Sequence, residues 1–541
     1  MAPKEMDQLV PVASDIDVLY ASEALPAERK RWDKLRQKFS DLYGGKVPDF
    51  IARSPGRVNL IGEHIDYSLY EVLPMAIAAD VIIAVSVPQQ VEKPNKAKIS
   101  IANVNSQKFK TNDFIFSGEN DIEIDASTHE WTNYFKSGLK GAIGLLKKKD
   151  PQSTPRSMQI VVDGTVPAGG GLSSSAAFVC ASALAVLHAN GQKEVIKSEL
   201  VELAIVSERA VGVNSGGMDQ AASVFSIRGD AVSVSFSPIL HAEAITFPKT
   251  DPPIIFMVAQ SFVAADKHVT APECYNLRVV ECTLAAEYLA AKLKLKLLSD
   301  SAPLGTSLRG LQNAYYFRPG RHNQHTEDER FHKMLSLVKE HLPSTSGLNR
   351  EEITSVLSIS IPDLEDRYMS KFPVRAEKFF LRQRAEHVFT EALRVSQFKS
   401  LLLNPPEVTD SNPEKLFQSL GTLMNETQAS CRDLYDCSCP ELDELCTIAR
   451  EAGAYGSRLT GAGWGGCSVH LVPKAKVDAV KKAWIDQYYS KKFPGREEEG
   501  IVISEPGHGS FIIKGDGLVG EGNVDTSLLE GVEKMEGAQM Q

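Results

Sequence analysis

Four short segments of this 541-residue chain concentrate side chains able to handle a phosphate and a hydroxylated ligand. The first is Gly169-Gly-Gly-Leu-Ser-Ser-Ser-Ala-Ala177. Three glycines let a backbone approach a ligand closely. Three serines come next, at the point where the apolar run Ala176–His188 reads as the start of a buried helix. Backbone N–H groups at a helix N-terminus, with the helix dipole behind them, bind anions, so a glycine-serine loop here suits phosphate. No Gly-Lys-Ser/Thr follows the glycines, which excludes a Walker loop. The competing reading is a serine N-cap on a core helix.

The second segment is Pro55-Gly-Arg-Val-Asn-Leu-Ile-Gly-Glu-His-Ile-Asp-Tyr67, in which Arg57, Glu63, His64 and Asp66 fall within ten residues. Carboxylates accept from sugar hydroxyls and a histidine donates or accepts, so the set suits a sugar; a surface turn with a salt bridge would use the same residue types. The third is Gly212-Val-Asn-Ser-Gly-Gly-Met-Asp-Gln220, where Asp219 follows a glycine pair and Glu208 lies eleven residues earlier on the preceding helix. Two such carboxylates suit phosphoryl transfer, one taking a hydroxyl proton and the other helping to hold Mg²⁺. By itself, Glu208 reads as a solvated helix position. The fourth is Gly456–Cys467, whose glycines Gly461, Gly463 and Gly466 match a Gly-x-Gly-x-x-Gly spacing. The next residues, Cys467–Val472, alternate like a strand instead of opening a helix, so the dinucleotide context fails. A loop of this kind closes over other loops, or simply turns between two core elements.

These loops need elements to hold them. Ala27–Phe39 has a helical pattern, Val81–Val87 is strand-like, and the strand Ser157–Asp163 delivers the chain to the glycine loop. Helices are expected at Lys197–Val211 and Asn276–Leu295, and the mixture indicates α/β or α+β. The length implies two or three domains. The net charge of −10, with no basic run longer than Lys147–Lys149, argues against a nucleic-acid surface. No apolar stretch reaches membrane-spanning length and the first residues carry no apolar signal, so a cytoplasmic protein with its eight cysteines reduced is expected. Cys437-Ser-Cys439 has too short a spacer for zinc. Residues 302–372 lack strand signals; the scattered His322, His325, His332 and His341 read as part of a charged helical insertion and not as a metal cluster. The Gly- and acid-rich end of the chain reads as a disordered tail.

Together these segments resemble the GHMP kinases, the family of galactokinase, homoserine kinase, mevalonate kinase and phosphomevalonate kinase. Gly56–Tyr67 is similar to the galactokinase signature, and Tyr275–Cys282, Arg384–Phe389 and Cys437–Leu442 resemble the eukaryotic, fungal-like branch. The resemblance runs from about residue 48 to about 515. It implies an α+β, two-domain fold with the active site in the cleft between domains. The implied partition is an extension (1–45), an N-terminal domain (46–248), a C-terminal domain (249–515) with a helical insertion at about 302–372, and a tail (516–541). The implied reaction is ATP- and Mg²⁺-dependent phosphorylation of galactose at its C1 hydroxyl. N-acetylgalactosamine kinase, or a galactose- and ATP-binding transcriptional sensor with a regulatory protein partner, shares nearly the same motifs; the intact Ser173–Ala177 stretch favours catalysis.

The resemblance also implies roles. Arg57 would stabilise the transferring phosphoryl beside Asp219, the general base. Glu63, His64 and Asp66 would bind sugar hydroxyls, with Ser215 and Gly216 lining the pocket and Tyr275 packing beside the sugar. Gly169, Gly171, Ser173, Ser174 and Ser175 would hold ATP phosphates, Ser175 and Glu208 would approach Mg²⁺, and Trp131 would flank the adenine. Ala265-Asp-Lys267 departs from the family's Ser-Asn-Lys, leaving only Lys267 for the nucleotide.

Overall fold

The computed structural model describes residues 8–88, 96–125, 128, 130–167, 169–209, 216–263, 270–317, 324–405 and 413–515. Its spine is β2 (Phe50–Ile61), a strand buried at every position. β2 pairs antiparallel with β3 (Leu73–Ser86), and β3 with β6 (Met158–Gly164). Beyond β6 lie β4 (Ala97–Asn103), parallel to it, and β5 (Asn112–Phe116) at the edge. On the other side of β2 stand β13 (Phe511–Lys514) and then β1 (Val12–Ala13), completing a seven-stranded sheet.

Alternate residues of a strand face opposite layers, and this sheet is covered on both. Ile51, Ile82, Ala84 and Val161 face α1 (Leu25–Leu42), which buries Trp32, Leu35 and Phe39 against them. Ala52, Ile83, Val85 and Ile160 belong to the main core, with α3 (Ser174–Ala189). α3 is apolar on nearly all sides because it is surrounded, packing on β2, β3, α2 (Thr132–Lys149) and α4 (Lys197–Arg209). The small residue Gly138 makes the α2 contact close: a Cβ there would stand 2.8 Å from the Val179 carbonyl oxygen.

A second sheet is antiparallel, in the order β10 (Gly456–Thr460), β11 (Cys467–Pro473), β9 (Ile254–Gln260) and β12 (Ile501–Ser504). The helices Pro440–Glu451 and Val477–Trp484 cover it through Leu445, Ile448, Val480 and Trp484. A hairpin of β7 (Asp230–Ser235) and β8 (His241–Thr246) bridges to Val72 through Val234.

The chain ends depart from the expected partition. β1 lies in the first sheet, so residues before 46 are part of it, and β13, expected in the second domain, sits beside β2. A buried polar clasp explains the arrangement. Asp80 accepts from Tyr20 Oη at 2.6 Å, Arg31 Nη1 at 2.8 Å and Arg53 Nε at 2.6 Å, while Arg53 Nη1 donates to the Gly509 carbonyl at 2.8 Å. These contacts join widely separated stretches of chain, which local patterning does not report.

The insertion is helical, with helices Leu308–Tyr316, Glu327–His341, Arg350–Leu357 and Ile361–Met369. Reciprocal caps at Thr326/Glu329, Asn349/Glu352 and Ser360/Asp363 start three of them. His325 and His332 are exposed and His341 half-buried; His322 lies outside the described residues. Among the described residues no group of three or more His, Cys, Asp or Glu could hold a metal ion, and no helix is long and apolar enough to cross a membrane. The tail lies outside the described residues.

Candidate active site

The loop after β6 turns through positive φ at Gly169 (72°) and Gly171 (71°) into α3. Ser173 holds the N-cap position, but its backbone is left-handed (φ 60°) and its hydroxyl makes no capping bond. An effective cap sits in the extended region, so the serine-cap reading gives way here. The Ser173 Oγ is instead buried without a hydrogen-bond partner in the protein. A desolvated hydroxyl beside open helix-start amides is a site arranged for a polar ligand.

The Gly461–Gly466 loop joins β10 to β11 as a hairpin and lies on this phosphate loop. A Cβ at Gly461 would stand 2.4 Å from the Gly171 carbonyl oxygen, and one at Gly466 would be 3.2 Å from the Gly170 backbone. Only glycines allow that approach.

Arg57 follows a register shift in the β2–β3 ladder between Pro55 and Arg57. It reaches Asp219 with Nε at 2.8 Å and Nη2 at 2.6 Å, and donates through Nη1 to the Gly171 carbonyl at 2.8 Å. Asp219 sits in the first turn of α5 (Met218–Phe225). Asp66, in the turn that follows β2 within the signature, packs on the approach to α5: a Cβ at Gly216 would stand 2.3 Å from Asp66 Oδ2. Burial and the neighbouring Asp219 push the Asp66 carboxyl up to about 6.

Glu63 is engaged by the protein itself: its Oε2 accepts from Arg458 Nη2 at 2.7 Å and from the Gly461 N–H at 3.0 Å. His64 has both ring nitrogens occupied, Nδ1 with Tyr67 Oη at 3.0 Å and Nε2 donating to the Ala462 carbonyl at 2.9 Å. Tyr275 lies 5.7 Å, centroid to centroid, from both His64 and Tyr67. Burial, together with Asp66, Asp219, Glu63 and Glu208, raises its phenol well above the ordinary range, so these carboxylates converge on one place. Glu208 is buried and accepts a short hydrogen bond from Gln220 Nε2, which replaces the solvated-helix reading. Trp131 lies parallel to Phe178 of α3, with centroids 6.0 Å apart, and donates to the Lys110 carbonyl at 3.0 Å. Ser215 and Lys267 lie outside the described residues.

Beneath the sugar loop is a network that sequence reasoning missed. Glu391, on the helix Leu381–Leu403, accepts from the N–H groups of Gly62 at 2.8 Å and Glu63 at 3.1 Å. Its second oxygen accepts from Arg394 Nε at 2.9 Å and Thr427 Oγ1 at 2.8 Å. Burial opposes its charge, but Arg394 and Arg458 overcome that and bring its carboxyl down to about 2. His387 Nε2 donates to the Glu63 carbonyl at 3.0 Å, leaving Nδ1 to accept from Ser430 at 2.8 Å; burial lowers its pKa to about 3 and keeps it neutral. Arg384 donates to Glu281 at 2.8 Å, and Arg278 Nε to the Tyr435 carbonyl at 2.7 Å. The signal was present: Arg384, His387, Glu391 and Arg394 recur at three- and four-residue spacing, a polar stripe on one helix face.

Family models match three stretches: the galactokinase galactose-binding signature over residues 37–87, the GHMP kinases N terminal domain over 133–226 and the GHMP kinases C terminal over 412–491. A galactokinase of Saccharomyces cerevisiae is 43% identical over 502 residues, covering 88% of this chain and 93% of that protein. The chain belongs to the galactokinase family. Other galactokinases share it at similar levels: that of Dictyostelium discoideum is 40% identical, covering 90% of this chain and 93% of its own length, and that of Schizosaccharomyces pombe 38%, covering 90% and 96%. Among solved structures, a Lactococcus lactis galactokinase complexed with galactose superposes with a TM-score of 0.63 at 22% identity, covering 89% of this chain and 99% of that one. That likeness shows the galactokinase fold. The galactokinase signature model spans β2, Arg57 and the Glu63–Asp66 turn, and the N-terminal model spans the phosphate loop and Asp219.

Proposed function

We propose that this chain transfers the γ-phosphoryl group of ATP to the C1 hydroxyl of galactose. The observation that carries the reading is Arg57, whose guanidinium touches both Asp219 and the phosphate-loop carbonyl of Gly171. The arrangement spans the two reacting groups: Asp219 takes the C1 hydroxyl proton, and Arg57 offsets charge on the phosphoryl. The α3 amides with Gly169, Gly171, Ser173, Ser174 and Ser175 hold the ATP phosphates, and Trp131 flanks the adenine. The Ser175 hydroxyl and the Glu208 carboxylate are hard oxygen donors of the kind Mg²⁺ takes, and they would hold it. Mg²⁺ bound there would neutralise charge on the phosphates. Asp66, Gly216 and Tyr275 line the sugar side, and His64 reaches a sugar hydroxyl by exchanging its bond to Ala462. The eight free thiols suit a reducing, cytoplasmic setting. ADP release measured with galactose, N-acetylgalactosamine and glucose tests the reading; release that galactose does not stimulate overturns it.

Ser175→Ala is expected to raise the KM for MgATP and leave galactose affinity in the absence of nucleotide nearly intact. Calorimetry separates the two, and a large loss of galactose binding would contradict the assignment.

Asp66→Ala is expected to raise the KM for galactose by roughly tenfold to a hundredfold, the worth of a charge-assisted hydrogen bond. It is also expected to narrow the preference for galactose over glucose, which differ at the C4 hydroxyl, because the wrong epimer leaves a buried carboxylate unpaired. Since the Asp66 carboxyl sits at about 6, its accepting form is lost as pH falls through that value, and wild-type galactose affinity should weaken there while Asp66→Asn stays flat. An unchanged galactose-to-glucose ratio in Asp66→Ala assigns the selectivity elsewhere.

A further inference from the structure

Tyr435 has no part in the chemistry above, yet its hydroxyl stands two hydrogen bonds from the His64 imidazole. The residue is fully buried just beyond the helix Glu414–Asp433. Its N–H donates to the Ser430 carbonyl at 2.9 Å, and its carbonyl accepts from Arg278 Nε at 2.7 Å. Its ring lies against His387 and His64, with centroids 4.2 Å and 4.9 Å away. Backbone and ring are thus held, and they aim the hydroxyl. Tyr435 Oη is hydrogen-bonded to Tyr67 Oη on one side and to Cys282 Sγ, at 3.2 Å, on the other. Tyr67 Oη is in turn 3.0 Å from His64 Nδ1. Cys282 lies two turns after Tyr275 on the helix Tyr275–Lys292, so one helix face supplies both the ring beside His64 and the far end of this chain of bonds.

The direction of the chain follows from its ends. The Ala462 carbonyl only accepts, so His64 Nε2 carries a hydrogen. Nδ1 of a neutral imidazole is then an acceptor, and Tyr67 donates to it. Burial raises the Tyr67 and Tyr435 phenols well above their ordinary range and pushes the Cys282 thiol up to about 12, so each keeps its hydrogen. Sulfur is the weaker acceptor, so the Tyr435 hydrogen goes to the Tyr67 oxygen and the Cys282 hydrogen to the Tyr435 oxygen. Hydrogen bonds in a row polarise one another, which strengthens the last of them, the one on His64. A second proton on His64 would reverse the chain, Nδ1 donating to Tyr67 and Tyr435 to the sulfur, and Nε2 would still be a donor.

We propose that Tyr435 is a positioning residue for sugar recognition: acting through Tyr67, it keeps the His64 hydrogen on Nε2 when galactose replaces Ala462 as the partner. This rests on the galactose reading above. In the free protein two partners fix that hydrogen, the Ala462 carbonyl and the phenol chain. In the complex Ala462 has let go, and a sugar hydroxyl, which both donates and accepts, fixes nothing. The chain alone then decides which ring nitrogen bears the hydrogen. His64 therefore meets its sugar hydroxyl as a donor, leaving that hydroxyl's own hydrogen for a neighbouring acceptor. Without the Tyr435 hydroxyl, Tyr67 is free to accept from Nδ1, and Nε2 then turns a lone pair toward the sugar.

The test is steady-state kinetics of full-length Tyr435→Phe, alone and combined with His64→Gln. Phenylalanine keeps the ring against His387 and removes only the hydroxyl. The KM for galactose should rise roughly threefold to tenfold, the worth of a neutral hydrogen bond, while kcat and the KM for MgATP stay within about twofold. In the His64→Gln background the same change should add nothing, because Tyr435 acts through His64. Nitrogen-15 NMR of histidine-labelled protein follows the hydrogen itself, with the His64 signals assigned by their loss in His64→Gln. Wild type should carry the hydrogen on Nε2 with and without saturating galactose. Tyr435→Phe should keep it there when free and move it in part to Nδ1 when galactose is bound. An unchanged KM, a rise by the same factor in the His64→Gln background, or a galactose-bound Tyr435→Phe with its hydrogen wholly on Nε2 would overturn the proposal. So would a wild-type His64 without a hydrogen on Nε2, a result read even if Tyr435→Phe fails to fold. An error in the galactose reading shows separately, as wild-type ADP release that galactose does not stimulate.

Discussion

Asp219→Asn should lower kcat by roughly 10²–10⁴-fold, about 3–5 kcal/mol of barrier, in a protein that still folds and still binds galactose. The amide keeps the shape of the side chain and can still meet Arg57, but it takes no proton at neutral pH. Arg57 retains its bond to the Gly171 carbonyl, so the contact between β2 and the phosphate loop survives the change. Rapid-mixing assays of ADP formation, with circular dichroism and galactose calorimetry as controls, measure each part. Turnover within about tenfold of wild type, a change of only ~1.4 kcal/mol, would remove Asp219 from the role of base.

Glu391→Ala should destabilise the protein by about 3–5 kcal/mol, because it leaves Arg394 buried without its countercharge and two loop N–H groups without an acceptor. Urea unfolding measures the loss. Glu391→Gln keeps an acceptor for the loop but not the charge, and should fall between Ala and wild type while raising the KM for galactose. The pH dependence has a definite sign. The folded carboxyl titrates near 2, below its ordinary 4.5, so its stabilisation is complete above about 4.5 and is lost as pH falls toward 2. The shift corresponds to about 3 kcal/mol. The urea midpoint of wild type should therefore fall across that window by more than that of Glu391→Gln. Equal slopes would show that other carboxylates carry the acid sensitivity.

The contrast between these two residues shows what the sequence disclosed. Asp219 announces itself because its signal is local: a glycine pair and a carboxylate stand side by side in the chain. The phosphate loop, β6 and α3 are legible for the same reason, and the strand after the Gly461 loop is legible from its alternation. Glu391 lies more than three hundred residues from the loop it holds, as does Arg458 from Glu63, and no local period encodes such a pairing. At Ser173 the sequence left a competing reading open, since a serine before a helix allows a cap, and only its left-handed backbone removes that option. Glu208 read as solvated because neither its own helix pattern nor the spacing to Gln220 shows that α4 and α5 bring the two side chains together.

The place of β13 between β1 and β2 bears on how a cell makes this protein. During synthesis the slot beside β2 stays open until residues 511–514 have left the ribosome, so the nascent first sheet waits through the making of the whole second sheet for its last strand. A message that stops before that point yields a chain with a bare strand edge in an otherwise apolar setting, the feature that chaperones and proteases meet first. The fold itself thereby proofreads the chain as far as β13.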